Sequence, residues 1–140
     1  DILMKKLISF KVAVNINTTI FSILVIAHVA IIIGILFFNY VPIDFLWGGR
    51  LKTKGALLQF EIISLVISAL CLFFTLIKAK YLSIPSLVGG ATRVMWLAFA
   101  FFILNTVGNI LAKTNFEKYF AVITLVLAIC SLRMALEKEA

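Results

Sequence analysis

Residues 16–38 read INTTIFSILVIAHVAIIIGILFF, an apolar run in which His28 is the one ionisable side chain. A helix needs about 20 mostly apolar residues to cross the roughly 30 Å hydrocarbon core of a bilayer. Three further apolar runs of comparable length follow, approximately at residues 57–77, 94–111 and 120–136. The sequence therefore predicts four transmembrane segments, and these occupy most of the 140 residues.

The composition favours the same class, because 64% of the residues are hydrophobic and only 14% are charged. Soluble domains usually carry about 25% charged residues. Backbone polar groups in hydrocarbon must bond within the protein, and long uninterrupted apolar runs favour helices over barrel strands, which alternate polar and apolar residues. We predict an all-α polytopic membrane protein, an antiparallel four-transmembrane-helix bundle that forms a single domain over residues 1–140.

The cations indicate the orientation. Eight Lys and Arg residues fall at the end of the bundle that holds both termini and five at the opposite end. Since short basic loops tend to stay cytoplasmic, we predict a multi-pass protein of the inner (cell) membrane with both termini in the cytoplasm. The net charge of +7 is scattered over both ends, which is typical of anchors beside lipid phosphates rather than of a nucleic-acid site. Membrane lipids are the predicted partners, and nucleic acid is not expected.

Each span carries one stripe of small or polar residues at steps of three and four. Such stripes let helix backbones approach closely in a membrane, with crossing angles near +20°. The stripes are Ala27, Ala30 and Gly34; Glu61, Ser64, Ser68, Cys71 and Thr75; Ala98, Asn105, Gly108 and Ala112; and Ala121, Thr124, Ala128, Ser131 and Ala135. We expect them to pack the bundle, and they could also dock a homo-oligomer or a larger membrane partner.

Four polar side chains inside the spans are candidates for a site, because such groups are costly in hydrocarbon. At 1.5 Å per residue, Glu61 and Asn109 lie at a similar shallow depth from the outer face. Asn105 lies about one turn deeper, and His28 lies near mid-membrane. Together they predict a polar pocket open to the outer side, in which Glu61 offers a carboxylate to a cationic or zwitterionic group.

Each of these residues also has a structural interpretation. Glu61 could be an interfacial carboxylate stabilised by the helix macrodipole and by Lys54 or Arg50. His28 could bond to a backbone carbonyl or an asparagine, or it could handle protons, since imidazole changes charge near neutral pH. Asn105 and Asn109 share a helix face and could form interhelical hydrogen bonds worth about 0.6 to 2 kcal/mol each.

The first loop contains Trp47-Gly48-Gly49-Arg50. Tryptophan favours the membrane interface, and two adjacent glycines permit a tight reversal with positive φ. No strand or phosphate-loop spacing surrounds them, so nucleotide binding is not indicated. The alternative is a turn that merely lies against the membrane. We include Trp47 and Arg50 among the predicted ligand-binding residues; Arg50 or Lys54, together with the two asparagines, could keep Glu61 charged and hydrated.

Catalytic, metal and cofactor sites are poorly supported. The chain has one histidine and no cluster of carboxylates, and Cys71 and Cys130 lack a CxxC spacing. Buried hydrophobic packing is the preferred interpretation of the two thiols, with a redox pair as the alternative. We therefore predict no catalytic residue, no metal and no cofactor.

His28, the run Trp47–Arg50, Glu61 and the run 105–109 (NTVGN) resemble features of small, uncharacterised four-span bacterial membrane proteins. The resemblance covers nearly the whole chain. It implies a four-span fold and no particular activity.

Three functions are compatible with these features. The preferred hypothesis is that an outer-side polar pocket binds a lipid headgroup or a small amphipathic molecule. The second is a small oligomeric transporter or channel, coupled to ions or protons through Glu61 and His28. The third is an accessory subunit of a larger membrane complex. A closed-ended cavity would favour the first hypothesis, and a continuous water path would favour the second.

Overall fold

The structure is a computed structural model that describes residues 1–139, so Ala140 of the predicted domain lies outside the described residues. Throughout residues 1–139 the regular elements are helical and no strand occurs, which confirms the predicted all-α class. The helices are α1 (Ile2–Leu7), α2 (Phe10–Phe38), α3 (Lys54–Lys78), α4 (Val88–Ile110) and α5 (Asn115–Ala135), with 3₁₀ turns at Leu46–Gly49 and Pro85–Leu87. Helices α2 to α5 are long and apolar enough to cross a membrane, as expected for a multi-pass membrane protein.

The four long helices form a ring in chain order. Consecutive helices are neighbours, and α5 closes the ring against α2. Contact is most extensive between α4 and α5, and next between α2 and α3. Short connections make consecutive helices antiparallel. We call the end that holds both termini and the α3–α4 connection the proximal end. The distal end holds residues 39–53 and residues 111–114.

Hydroxyl caps set where three of the helices begin. Ser9, Thr53 and Thr114 each accept a hydrogen bond from the backbone N–H three residues later, which satisfies a donor that the helix leaves free. Because these caps precede the apolar runs, α2, α3 and α5 begin before the predicted residues 16, 57 and 120. Asn39 ends α2 in the left-handed conformation with φ 49°.

Small residues form much of the helix interface. A proximal cluster consists of Ala13, Val14, Met95, Cys130, Met134 and Ala135. A middle cluster consists of Phe21, Cys71, Ala98, Phe102, Leu127 and Ala128. The two cysteines are buried and free, and they belong to different clusters. The stripe predicted on α5 is buried along its whole length.

The stripe predicted on α2 is wrong. Ala27 and Ala30 are exposed, and the nearest contact of Gly34 is with Tyr40 of the following loop. Helix α2 instead turns Phe21 and Ile35 into the bundle, together with Asn17, which is completely buried. Because most positions of α2 are apolar, its sequence shows little helical periodicity. The small residues therefore predicted the wrong packing face of α2.

Polar contacts close the proximal end. Lys78 donates to Thr92 Oγ1 at 2.7 Å and to the carbonyl of Glu137 at 2.9 Å. Arg133 donates from Nε to the carbonyl of Ile8 at 3.0 Å and from Nη1 to Glu137 at 2.7 Å. Both cations are almost fully buried. Buried charges need such partners, so the α1–α2 junction, α3 and α4 are tied to the end of α5.

Candidate functional site

The distal half of the bundle contains a buried carboxylate with two side-chain partners. Glu61 of α3 is 1% exposed. Its Oε2 lies 2.5 Å from Nδ1 of His28 on α2, and its Oε1 accepts a hydrogen bond from Nε1 of Trp47 at 3.0 Å. A buried carboxylate is costly unless it is paired and hydrogen-bonded, and here each oxygen has its own partner. The group therefore joins α2, α3 and residues 39–53, which we call the distal loop.

The distal loop reaches Glu61 through a left-handed reversal. Trp47, Gly48 and Gly49 have φ values of 55°, 64° and 70°. Two glycines adopt this conformation readily, as expected from the sequence, whereas for a tryptophan it is strained. The indole is held by its bond to Glu61 and by an edge-on contact with Phe60, whose ring centroid lies 5.3 Å away. Strain of this kind persists only where the surroundings fix it, so Trp47 is held firmly over the distal end.

Below Trp47 lies a cavity of about 440 Å³ between all four long helices, which we call the distal cavity. Its lining is mainly apolar and aromatic, with His28, Glu61, Ser64, Asn105, Asn109 and Glu117 among the polar members. On the proximal side the lining stops at Leu24, Ser68 and Thr124. Phe102 of the middle cluster lines the floor of the cavity, and the other residues of that cluster lie about one turn further on, each at most 6% exposed. The distal cavity therefore ends blindly in the bundle.

A second space of about 480 Å³, which we call the lateral groove, adjoins the distal cavity between α3, α4 and the distal loop. Phe60, Phe101 and Asn105 line both spaces. Leu104 lines the groove and is 72% exposed, and Phe60 is 42% exposed. Since apolar side chains exposed along a transmembrane helix face lipid, the groove opens sideways towards the bilayer.

The predicted site residues lie together. His28, Trp47, Glu61, Asn105 and Asn109 line the distal cavity, and Arg50 lines the lateral groove instead. Helices α2, α3 and α4 and the distal loop thus each contribute at least one of these residues.

Glu61 and His28 do not make the contacts that their structural interpretations predicted. Glu61 is paired with His28 and Trp47, whereas Lys54 donates to Asn39. His28 bonds the carboxylate rather than a carbonyl or an asparagine.

Asn105 donates to the carbonyl of Phe101 in its own helix at 2.9 Å, so its amide nitrogen forms no interhelical bond. The buried interhelical bond near this depth joins Thr106 and Thr124 at 2.9 Å.

Sequence reasoning missed Glu117. This residue lies in the first turn of α5 and lines both the distal cavity and the lateral groove. Its Oε1 accepts a hydrogen bond from the backbone N–H of Gly48 at 3.0 Å, which ties the distal loop to α5. The available signal was its position three residues after a capping threonine, where a carboxylate is favoured by the helix dipole.

The site offers hydrogen bonds and charge. Within residues 1–139, no group of three or more His, Cys, Asp or Glu side chains is arranged to hold a metal ion. Comparison with family models, with curated proteins and with solved structures finds no match. The resemblance to four-span bacterial proteins stays a prediction.

Proposed function

We propose that the protein binds a lipid headgroup or a small amphipathic molecule in the distal cavity. The observation that supports this most directly is the continuity of two spaces. A blind cavity with polar groups adjoins a groove whose apolar lining faces the bilayer. An amphipathic molecule needs both environments, one for each of its ends.

Because the distal cavity ends inside the bundle, it favours the binding of a ligand over conduction across the membrane. A transporter or channel needs a path that continues to the other side of the membrane, and polar groups mark such paths. Below the distal cavity come the middle cluster and the proximal cluster of buried apolar side chains. Buried polar side chains at that depth include Asn17, which donates to Ser131 at 3.3 Å, and Thr75. The buried contacts of Lys78 and Arg133 then close the proximal end.

We also propose that the distal end faces the outside of the cell. The distal end carries five of the 13 Lys and Arg residues, and the proximal end carries eight. In that orientation a molecule would enter the lateral groove from the outer leaflet.

The experiment compares the molecules retained by the wild-type protein with those retained by a variant whose cavity is filled. Ser64 is half-buried and lines the distal cavity, so Ser64→Phe should occupy the space of a ligand. Ala69 lies on the same helix but is exposed, which makes Ala69→Phe the matched control. Mass spectrometry after gentle detergent extraction should find an amphipathic molecule with wild-type and Ala69→Phe protein, and much less with Ser64→Phe. Equal retention by all three would contradict the proposal.

A further inference from the structure

The lateral groove is lined by two opposite charges that do not pair with each other. A Cβ placed on Gly48 would lie 3.6 Å from Cγ of Glu117 and 3.8 Å from Nε of Arg50. The two side chains thus flank Gly48 at the mouth of the groove. Within residues 1–139 the ion pairs include neither of them.

Unlike Glu61, Glu117 has a carboxylate oxygen that is available to bind a cation. Both oxygens of Glu61 have partners, and that carboxylate is almost fully buried. Glu117 is only half-buried, and its one hydrogen bond as an acceptor is Oε1 with the N–H of Gly48. Its other oxygen is therefore available to a ligand, and the amino-terminal end of α5 favours the negative charge.

Aromatic rings line the distal cavity, which Glu117 also lines. Phe116 stacks on Phe120 with centroids 6.3 Å apart, and both rings line the distal cavity with Trp47. The faces of such rings attract an ammonium group, and the attraction grows where water is excluded. Arg50, in contrast, is exposed and has the planar donor set that suits a phosphate.

We infer that the site binds the headgroup of a zwitterionic phospholipid where the distal cavity and the lateral groove meet, with the ammonium group at Glu117, which lines both spaces, and the phosphate at Arg50. The acyl chains lie along the apolar lining of the groove. This inference rests on the proposed function and names its ligand class. It also assigns Glu61 a different task, since its bond to Trp47 positions the distal loop that carries both Gly48 and Arg50.

The test measures the headgroup preference of the full chain in a neutral detergent. Phosphatidylethanolamine, phosphatidylglycerol and diacylglycerol with the same acyl chains are added, and bound lipid is counted by native mass spectrometry. Hydrogen bonds to charged groups are worth enough to change affinity by at least about tenfold. Wild-type protein should therefore prefer phosphatidylethanolamine to each of the other two lipids by about tenfold.

Variants at Glu117 and Arg50 separate the contributions of the two charged side chains to the headgroup preference. Glu117→Gln can still accept the bond from Gly48, so the loop should stay in place while the preference over phosphatidylglycerol is lost. Arg50→Gln should lose the preference of phospholipid over diacylglycerol, and Arg50→Lys should retain part of it. Asp44→Asn changes an exposed charge of the same loop that does not line the groove, and it should leave the preference unchanged.

The outcomes distinguish the two proposals. Lipid binding without a headgroup preference, or a preference that Glu117→Gln leaves intact, would overturn the inference and keep the proposed function. A preference for phosphatidylglycerol that disappears in high salt would also overturn it, because it would reflect general attraction to the distal cations. Failure of wild-type protein to bind any of the three lipids would overturn the inference, and retention of no amphipathic molecule in the extraction experiment as well would overturn both.

Discussion

The contact between His28 and Glu61 predicts how replacing each residue, singly and together, changes the free energy of unfolding. His28→Leu leaves a carboxylate that is 1% exposed with Trp47 as its remaining partner. Removing the partner of a buried charge costs about 3 kcal/mol. Glu61→Leu removes the acceptor of both partners and should cost about 2 kcal/mol, since neutral donors are left unsatisfied. The double replacement removes the pair and should cost clearly less than the sum.

The expected coupling free energy between the two positions is about 2 kcal/mol. A value of this size distinguishes a bond to a buried charge from a neutral hydrogen bond. Neutral interhelical hydrogen bonds in membranes average only about 0.6 kcal/mol. The buried pair of Thr106 and Thr124, at 2.9 Å, is the matched neutral control. Replacing each threonine by valine, singly and together, should give a coupling near that average.

Reversible unfolding in mixed detergent micelles, followed by far-ultraviolet circular dichroism, measures both cycles. The chain has two tryptophans, so a Trp96→Phe background also isolates the emission of Trp47, which should change when Glu61 is lost. Coupling below about 0.5 kcal/mol between His28 and Glu61 would mean that the two positions act independently. That result would refute the buried pair.

Two other properties can be checked with fewer variants. A cysteine at Lys52 in a background without the native cysteines should react with an impermeant thiol reagent from outside intact cells, whereas one at Lys6 should not; the opposite pattern would reverse the orientation. Ala128→Leu should lower thermal stability in detergent by several degrees more than Ala100→Leu, because Ala128 is fully buried and Ala100 is exposed. Equal losses at both positions would show that α5 does not pack through Ala128.

Much of the architecture could be predicted because the bilayer restricts it strongly. Long apolar runs can only cross as helices, and short connections make neighbours antiparallel. The α2 stripe could not be found in this way. From Ile23 to Phe38 every residue of α2 except His28 is apolar, so Ala30 looked like a packing residue while Phe21 makes the contact. Small size permits close approach, but it does not require it.

The candidate site could be predicted in part, for the same kind of reason. Polar residues in hydrocarbon are conspicuous, and their depths placed His28, Glu61 and Asn109 around one space. Glu117 was not predicted, because the sequence gives no indication that the distal loop folds back to it. That contact depends on the left-handed conformation of Gly48. The bond between Glu61 and His28 was also not predicted, because it depends on the packing of α2 against α3.

The central claim is that the distal cavity and the lateral groove hold an amphipathic molecule, and site-resolved photocrosslinking tests it most directly. A phospholipid with a photoreactive group in its acyl chain would be reconstituted with the wild-type protein and irradiated, and the labelled peptides would be sequenced. We predict labelling concentrated at Phe60, Phe101 and Leu104, which line the groove, and reduced by Ser64→Phe. Labelling spread evenly over the lipid-facing residues of all four long helices, and unchanged by Ser64→Phe, would contradict the account.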